Sequence, residues 1–225
     1  MPEWLSDASA WVLPLILAVT LHEAAHGWMA EKFGDDTARQ LGRVTFNPLK
    51  HIDRFGTIIF PGLLLLIHSP MLFGYAKPVP VNFKRLNPPR IGMFMVSIAG
   101  VATNVLLAIA SGLLLHIESF ITPEQAPWIF LNLYRSIMIN CVLAVFNMIP
   151  ILPLDGGRAV DSMLSGPIKK LYGKLERYGI IIVMIFLLVP PVFHSDAARN
   201  ILEPPIFWLM DHILWVTGNG QGDNA

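Results

Sequence analysis

The chain has 225 residues, enough for one domain or at most two small ones. Charged residues make up 14% of it, against about 25% in ordinary soluble domains, while 54% is apolar and the mean hydropathy is +0.55. Basic and acidic side chains balance at 16 each, so no basic field indicates a nucleic-acid partner. The single cysteine, Cys141, excludes an intrachain disulfide framework and a four-cysteine metal module. The composition therefore predicts an all-α polytopic membrane protein.

The first predicted membrane span covers residues 8–31. No lysine or arginine precedes it, whereas a secretory signal begins with basic residues, so a cleaved signal peptide is not expected. Its length suffices to cross a bilayer at ~1.5 Å rise per residue. The span is unusual because it carries His22, Glu23 and His26 towards its C-terminal end.

Three more apolar stretches bring the prediction to about four transmembrane helices: 91–117, 128–149 and the slightly short 178–193. In 201–216, acidic and histidine side chains lie beside tryptophans, which favours an interfacial helix over a further span. Residues 218–225 are predicted to be a disordered tail. We expect a single integral-membrane domain over 1–217, with its core in 8–160.

The apolar segment 55–73 is predicted to be a re-entrant hairpin. Pro61–Gly62 breaks it, and basic loops flank it on both sides, so it enters and leaves by the same face. The positive-inside rule assigns three basic loops to the cytoplasm: 32–54, 74–90 and 156–177. In the cell (inner) membrane, the N-terminus and loop 118–127 then lie outside, and the functional groups lie towards the cytoplasm. The prolines of 76–83 predict a short extended segment.

The first span contains an HExxH motif. His22 and His26 are four residues apart, so on a helix both imidazoles face one metal ion. Glu23 lies about 100° round the helix, where it can touch a metal-bound water without being a ligand. A charge in a membrane helix costs about 2.5–3.5 kcal/mol on insertion scales, so Glu23 needs a partner, a metal or a watery cavity. The alternative is that all three side chains lie in the cytoplasmic headgroup zone.

A catalytic zinc ion needs a third protein ligand and one open position. Asp155 stands out because it follows an apolar span and is flanked by prolines and glycines. Taken alone, it also fits an ordinary surface loop, so His68 and an interfacial His51 stay open as alternatives. Other acidic residues lie off the histidine face or in a solvated loop: Glu31, Asp35, Asp36 and Asp53.

The segment 147–157 also offers a place for substrate. Pro150 and Pro153 end the helix and leave nearby carbonyls without helical partners, and Asn147 adds an amide. Gly156–Gly157 allow a tight turn. Irregular backbone at membrane depth must be buried in protein or line a cavity, and such an edge can pair with an extended peptide. These residues are therefore predicted to bind substrate or to support the site.

Small residues recur every four positions in the 91–117 span, at Gly100, Asn104, Ala108 and Gly112. This spacing predicts a thin face for close helix packing. Asn104 is the polar exception. We expect it to hydrogen-bond either to the metal-bearing helix or to the 147–153 segment.

These motifs resemble the site-2 protease family of intramembrane zinc metalloproteases. Three stretches carry the resemblance: LHEAAHG at 21–27, SIAGVATN at 97–104 and NMIPILPLDGGR at 147–158. The stretches GRVTFNPLKHID and KPVPVN are similar to the compact bacterial branch, which lacks PDZ and CBS domains. Val101 departs from the pattern, because the family usually has a proline there.

The resemblance implies one zinc ion per chain, ligated by His22, His26 and Asp155. Glu23 would be the catalytic carboxylate, and Asn147 would belong to the substrate-docking segment. The implied partners are the lipid bilayer and transmembrane segments of substrate proteins, whose peptide bonds the enzyme would hydrolyse.

Two other classes of protein are alternatives to this interpretation. A di-iron lipid desaturase or hydroxylase also uses histidine pairs, but it needs several, and the 7 histidines here form a single such pair. A non-catalytic binding or chaperone-like membrane protein is favoured where a ligand is missing, and here every motif residue is present. Metal content and proteolysis discriminate among the three.

Overall fold

The computed structural model of the chain describes residues 3–59, Leu63, Leu66, 76–192 and 197–220. In that part of the chain all regular structure is helical, so the predicted all-α class is confirmed. The 3-10 and π-helical turns are Pro48–Lys50, Arg54–Ile59 and Leu115–Phe120. The α-helices are α1 Glu3–Lys32, α2 Thr37–Gln40, α3 Pro89–Leu114, α4 Ala126–Asn147, α5 Asp155–Met163, α6 Gly166–Lys174, α7 Glu176–Val192 and α8 Ala197–Val216.

Three described helices are long and apolar enough to cross a membrane: Ser9–Lys32, Pro89–Ile117 and Ala126–Asn147. They correspond to three of the four predicted spans. The fourth prediction, 178–193, falls on α7, whose 17 residues are fewer than those of the other three. A count of four spans therefore stays a prediction.

Helix α3 is the central element of the bundle and packs against α1, α4, α5 and α8. The small residues predicted to form a thin face, Gly100, Asn104, Ala108 and Gly112, are all buried, so that prediction is confirmed. Small side chains let helix backbones approach closely, which matters because lipid gives little hydrophobic driving force between helices.

Helix α8 packs against α4 and α3 and contributes Met210 and Ile213 to a buried cluster around Ile137 and Cys141. The lone cysteine is therefore a packing residue, as its apolar setting predicts. The tryptophans of α8 are exposed on the face away from this cluster. An interfacial position for 201–216 stays a prediction.

Asn219, which lies beyond the predicted domain boundary at 217, is hydrogen-bonded to the helix bundle. The side chain of Asn219 donates to the Gly112 carbonyl at 2.8 Å, and its backbone N–H donates to the Leu214 carbonyl at 2.7 Å. These bonds satisfy carbonyls at helix ends, and the disordered tail over 218–225 stays a prediction. The rest of the predicted tail, 221–225, lies outside the described residues.

The predicted extended segment near 76–83 does not form a strand. Its prolines have no N–H, and the N–H groups of Lys77 and Val79 bond to a loop and to a side chain instead of to a neighbouring strand. Lys77 N–H donates to the His51 carbonyl at 2.9 Å, and Val79 N–H donates to Glu23 Oε2 at 2.7 Å. The segment is therefore irregular, but it is held next to α1.

The predicted re-entrant hairpin 55–73 lies largely outside the described residues. Its first residues belong to the π-helical turn Arg54–Ile59, whose start is capped by Asp53 Oδ1 accepting from Gly56 N–H at 2.7 Å. The hairpin itself stays a prediction.

Candidate metal centre

The two histidines of the HExxH motif lie one turn apart on α1 and point the same way. His22 and His26 are 7% and 9% exposed, and their Nε2 atoms are 3.0 Å apart. Their rings are nearly perpendicular, with centroids 4.6 Å apart. Two nitrogen atoms so close together have room for a shared ion on their open side.

Asp155, at the start of α5, completes a triangle of ligand atoms. Its Oδ2 lies 3.2 Å from His22 Nε2 and 3.3 Å from His26 Nε2. Zinc–ligand bonds of ~2.0–2.1 Å in a tetrahedron place the ligand atoms about 3.3 Å apart. The triangle therefore matches one face of a tetrahedral zinc site. Among the described residues, no other group of histidine, cysteine and acidic side chains converges in this way.

The second ring nitrogen of each histidine has its own hydrogen-bond partner. His26 Nδ1 lies 2.7 Å from the Val96 carbonyl, and His22 Nδ1 bonds to Asn104 Oδ1. A carbonyl oxygen only accepts, so Nδ1 carries the proton and the lone pair of Nε2 faces the triangle. Metal-binding histidines are oriented in this way in proteins generally.

A buried amide chain fixes the direction of the His22 bond. Asn140 Nδ2 donates to the Ser136 carbonyl at 2.8 Å, which leaves its Oδ1 to accept from Asn104 Nδ2, also at 2.8 Å. Asn104 Oδ1 must then face His22. Both asparagines are fully buried. Of the two partners predicted for Asn104, the metal-bearing helix is the one observed.

Gly100 of α3 lies directly against the two imidazoles. A Cβ atom at this position would be 2.5 Å from His26 Nε2 and 2.6 Å from His22 Nε2, distances that real Cβ atoms do not adopt. Glycine is therefore required here by a close approach. The space next to the ligand atoms exists because no side chain fills it.

The carboxylate of Asp155 is positioned by close backbone packing. A Cβ at Gly156 would lie 2.2 Å from the Met148 carbonyl oxygen, and one at Gly157 would lie 2.4 Å from Leu152 N. The two glycines thus let the 148–152 loop fold against the start of α5. A carboxylate binds a metal ion in its ionised form, and this oxygen faces both Nε2 atoms.

Glu23 is separate from the triangle. It is half-buried, and its Oε2 accepts the Val79 N–H at 2.7 Å. Glu23 follows His22 directly on α1, so it is next to a ligand in the chain without being one of the three convergent groups.

The predicted substrate segment is a series of turns. Asn147 Nδ2 donates to the Leu143 carbonyl at 2.9 Å in its own helix, and Ile151 N–H and Leu154 N–H close turns within the segment. Pro150 is exposed, and its carbonyl accepts from Tyr172 of α6 at 2.9 Å. Half-buried Pro153 follows in the same turns. In the described structure, none of these hydrogen bonds reaches the triangle.

Of the two alternative third ligands, His51 does not join the triangle. His51 is buried in the loop after α2, and its Nε2 bonds to the Thr45 carbonyl at 3.1 Å. His68 lies outside the described residues.

The sequence of the chain matches a known protein family. The profile of Peptidase family M50 matches residues 121–190. YwhC of Bacillus subtilis, described as a candidate zinc metalloprotease, is 37% identical over 80% of this chain and 80% of its own length. The Rip2 proteins of Mycolicibacterium smegmatis and Mycobacterium tuberculosis H37Rv, described in the same words, are 27% and 24% identical over 87% of this chain and 71% of their own length. No solved structure matches the chain.

The chain belongs to peptidase family M50. These are the site-2 proteases, so the protein is a membrane zinc metalloprotease. The matched profile covers Asp155 and the loop before it, while the longer match to YwhC extends over most of the chain.

Three groups near the centre of this M50 protease could not be predicted from the sequence. Asn140 is a polar residue in an apolar span, and nothing in the sequence indicates its hydrogen-bond partner. Arg43 and the Val79 amide belong to no recognisable motif. Only the folded loop shows that the Val79 N–H bonds to Glu23 of α1 and that Arg43 contacts the carbonyls just before Val79.

Replacing Gly100 with alanine tests the close approach. We expect Gly100→Ala to lose most of its zinc, because the new methyl group occupies the space of the two Nε2 atoms. Zinc content of the detergent-purified protein measures this directly. Gly173→Ala is the matched control, because a Cβ there meets nothing within 4 Å. Full zinc occupancy in Gly100→Ala would contradict the geometry.

Replacing Asn140 with alanine tests the amide chain. Asn104 would then be free to turn, and His22 would lose its fixed orientation, so we expect zinc affinity to fall about 10–100-fold. Competition with a zinc chelator measures the change. Asn132→Ala is the control, because Asn132 lies on the same helix and its amide donates to Trp128 O. Equal losses in both variants would show a general effect of removing buried amides.

Proposed function

We propose that this protein is an intramembrane endopeptidase that hydrolyses peptide bonds within or near transmembrane segments of other membrane proteins. The observation that carries the proposal is the triangle of His22, His26 and Asp155, with Glu23 beside it on the same helix. The first two ligands lie within a helix apolar enough to cross the membrane, so the reaction would take place at membrane depth.

The three ligands would hold one zinc ion per chain. Zinc bound there would supply a Lewis acid for the scissile carbonyl and would acidify a coordinated water. Asn104 and the Val96 carbonyl keep the two imidazoles turned towards the ion. Asp155 contributes the negative charge that a cation requires in an apolar bundle.

Glu23 would act as general base and then as general acid. Its Oε2 is held by the Val79 N–H, whereas the described residues give Oε1 no hydrogen bond. Oε1 is therefore the oxygen that would accept a proton from the attacking water and return it to the leaving amine.

The substrate would bind as an extended peptide along the 147–153 segment, because a helix shields its own carbonyls. This segment leads directly to the ligand Asp155. Tyr172 and the backbone packing at Gly156–Gly157 hold it in place. These contacts support a docking role for Asn147, Pro150 and Pro153 and favour a preformed site over one that folds on binding.

Exchange of Glu23 and of Asp155 tests the chemistry. We expect Glu23→Gln to keep about one zinc per chain but to lose cleavage of a transmembrane-segment substrate, because the amide cannot accept the proton. We expect Asp155→Ala to lose both zinc and activity. Elemental analysis and a gel-based cleavage assay on the same preparations separate the two. Cleavage by Glu23→Gln, or full zinc in Asp155→Ala, would overturn the assigned roles.

Orientation in the cell membrane can be tested by cysteine labelling. The metal centre is proposed to face the cytoplasm and the N-terminus the outside. Cys141 is buried, so single cysteines introduced at the exposed positions Glu124 and Lys170 report separately. In intact spheroplasts, we expect an impermeant maleimide to label Glu124→Cys and to leave Lys170→Cys unlabelled. The reverse pattern would invert the topology.

A further inference from the structure

The carboxylate of Glu23 is bonded by an amide from a loop far away in sequence. Val79 N–H donates to Glu23 Oε2 at 2.7 Å. Val79 lies between Pro78 and Pro80, whose rings restrict the backbone and offer no N–H. The Val79 amide is therefore the donor that this stretch can present to α1.

A buried arginine contacts the backbone carbonyls just before Val79, chiefly that of Lys77. Arg43 is 7% exposed, and its Nη2 donates to the Lys77 carbonyl at 2.7 Å and more weakly to the Pro78 carbonyl at 3.4 Å. The Pro78 carbonyl and the Val79 N–H belong to one peptide unit. The arginine therefore holds the backbone immediately before Val79, mainly at the Lys77 carbonyl, and with it the direction of the Val79 N–H.

Arg43 makes this contact at a cost. A buried charge is unfavourable unless its hydrogen bonds are made, and Arg43 Nε is buried without a partner in the described part of the chain. Among the described residues, its hydrogen bonds go to the carbonyls of this one loop. We therefore attribute the burial of the Arg43 side chain to the hydrogen bonds that it donates to residues 77 and 78.

Two further contacts hold the loop on either side of Val79. Lys77 N–H donates to the His51 carbonyl at 2.9 Å, and Asn82 N–H donates to the fully buried carboxylate of Asp35 at 2.6 Å. Because the loop is fixed before and after Val79, the direction of the Val79 N–H is fixed as well.

We propose that Arg43 is a positioning residue for the general base. It sets the Pro78–Val79 peptide so that its N–H holds one oxygen of Glu23 and leaves the other for the proton transfer. This inference rests on the proposed function of Glu23. The zinc ligands are oriented by other groups, Asn104 and the Val96 carbonyl among them, so the effect is on catalysis and not on metal binding.

Removal of the Val79 amide proton tests the inference. Val79→Pro deletes the N–H, whereas Val79→Ala keeps it while also losing the valine side chain, so the comparison between the two isolates the hydrogen bond. Zinc content, kcat and KM are measured for both in detergent with a transmembrane-segment substrate. We expect kcat of Val79→Pro to be at least about tenfold below that of Val79→Ala, since general-base catalysis contributes ~10²–10⁴-fold. Zinc content and KM should agree within about twofold. Equal kcat values, or a loss confined to KM, would overturn the proposal.

If Val79→Pro does not retain zinc, a second pair of variants tests the positioning role of Arg43. Arg43→Lys keeps a donor for the Lys77 carbonyl, whereas Arg43→Met keeps the length and loses the charge. We expect Arg43→Met to have the lower kcat at unchanged KM and zinc content, with partial rescue in Arg43→Lys. Identical kcat values would reject the positioning role. Glu23→Gln, measured alongside, tests the base itself, so the two proposals fail separately.

Discussion

The close approach of α1 and α3 at Gly100 is the constraint on which the centre depends. Two imidazoles and a carboxylate must share a small space inside an apolar bundle, and any side chain at position 100 would fill it. The other small residues of the α3 face let neighbouring helices pack at the same short distance. Helix packing and metal binding therefore place the same demand on α3, which explains why small residues recur along its whole length.

Buried polar groups of α1, α3 and α4 form one connected chain of hydrogen bonds. The chain from His22 through Asn104 and Asn140 ends at the Ser136 carbonyl, which can only accept. This end point determines the direction of every bond before it, and hence which nitrogen of His22 faces the metal. A buried amide costs free energy if unpaired, so a fully connected chain both stabilises the bundle and selects one tautomer.

Much of this arrangement could be predicted from the sequence. The i, i+4 spacing of His22 and His26 suffices to place both imidazoles together, and apolar length suffices for three helices. The hydrogen bonds of segment 76–83 could not be predicted, because its prolines suggest an extended chain, whereas the actual bonds go to Glu23 and to the loop after α2. The hydrogen-bond partner of Asn140 could not be predicted for a similar reason. Periodicity along a helix shows which face is polar, but only the packing of α3 on α4 shows what that face meets.

The support of the metal site and the support of the base come from different parts of the chain. The imidazoles are oriented from α3 and through α3 from α4, by residues deep in the bundle. Glu23 is held by a loop outside the membrane-spanning helices, where Arg43 and Asp35 are buried against backbone groups. A rearrangement of that loop could therefore change the orientation of the carboxylate while the ligand triangle stays intact. If the protein acts as proposed, such a division would let the ion remain bound while the reactivity of the site depends on the loop beside it.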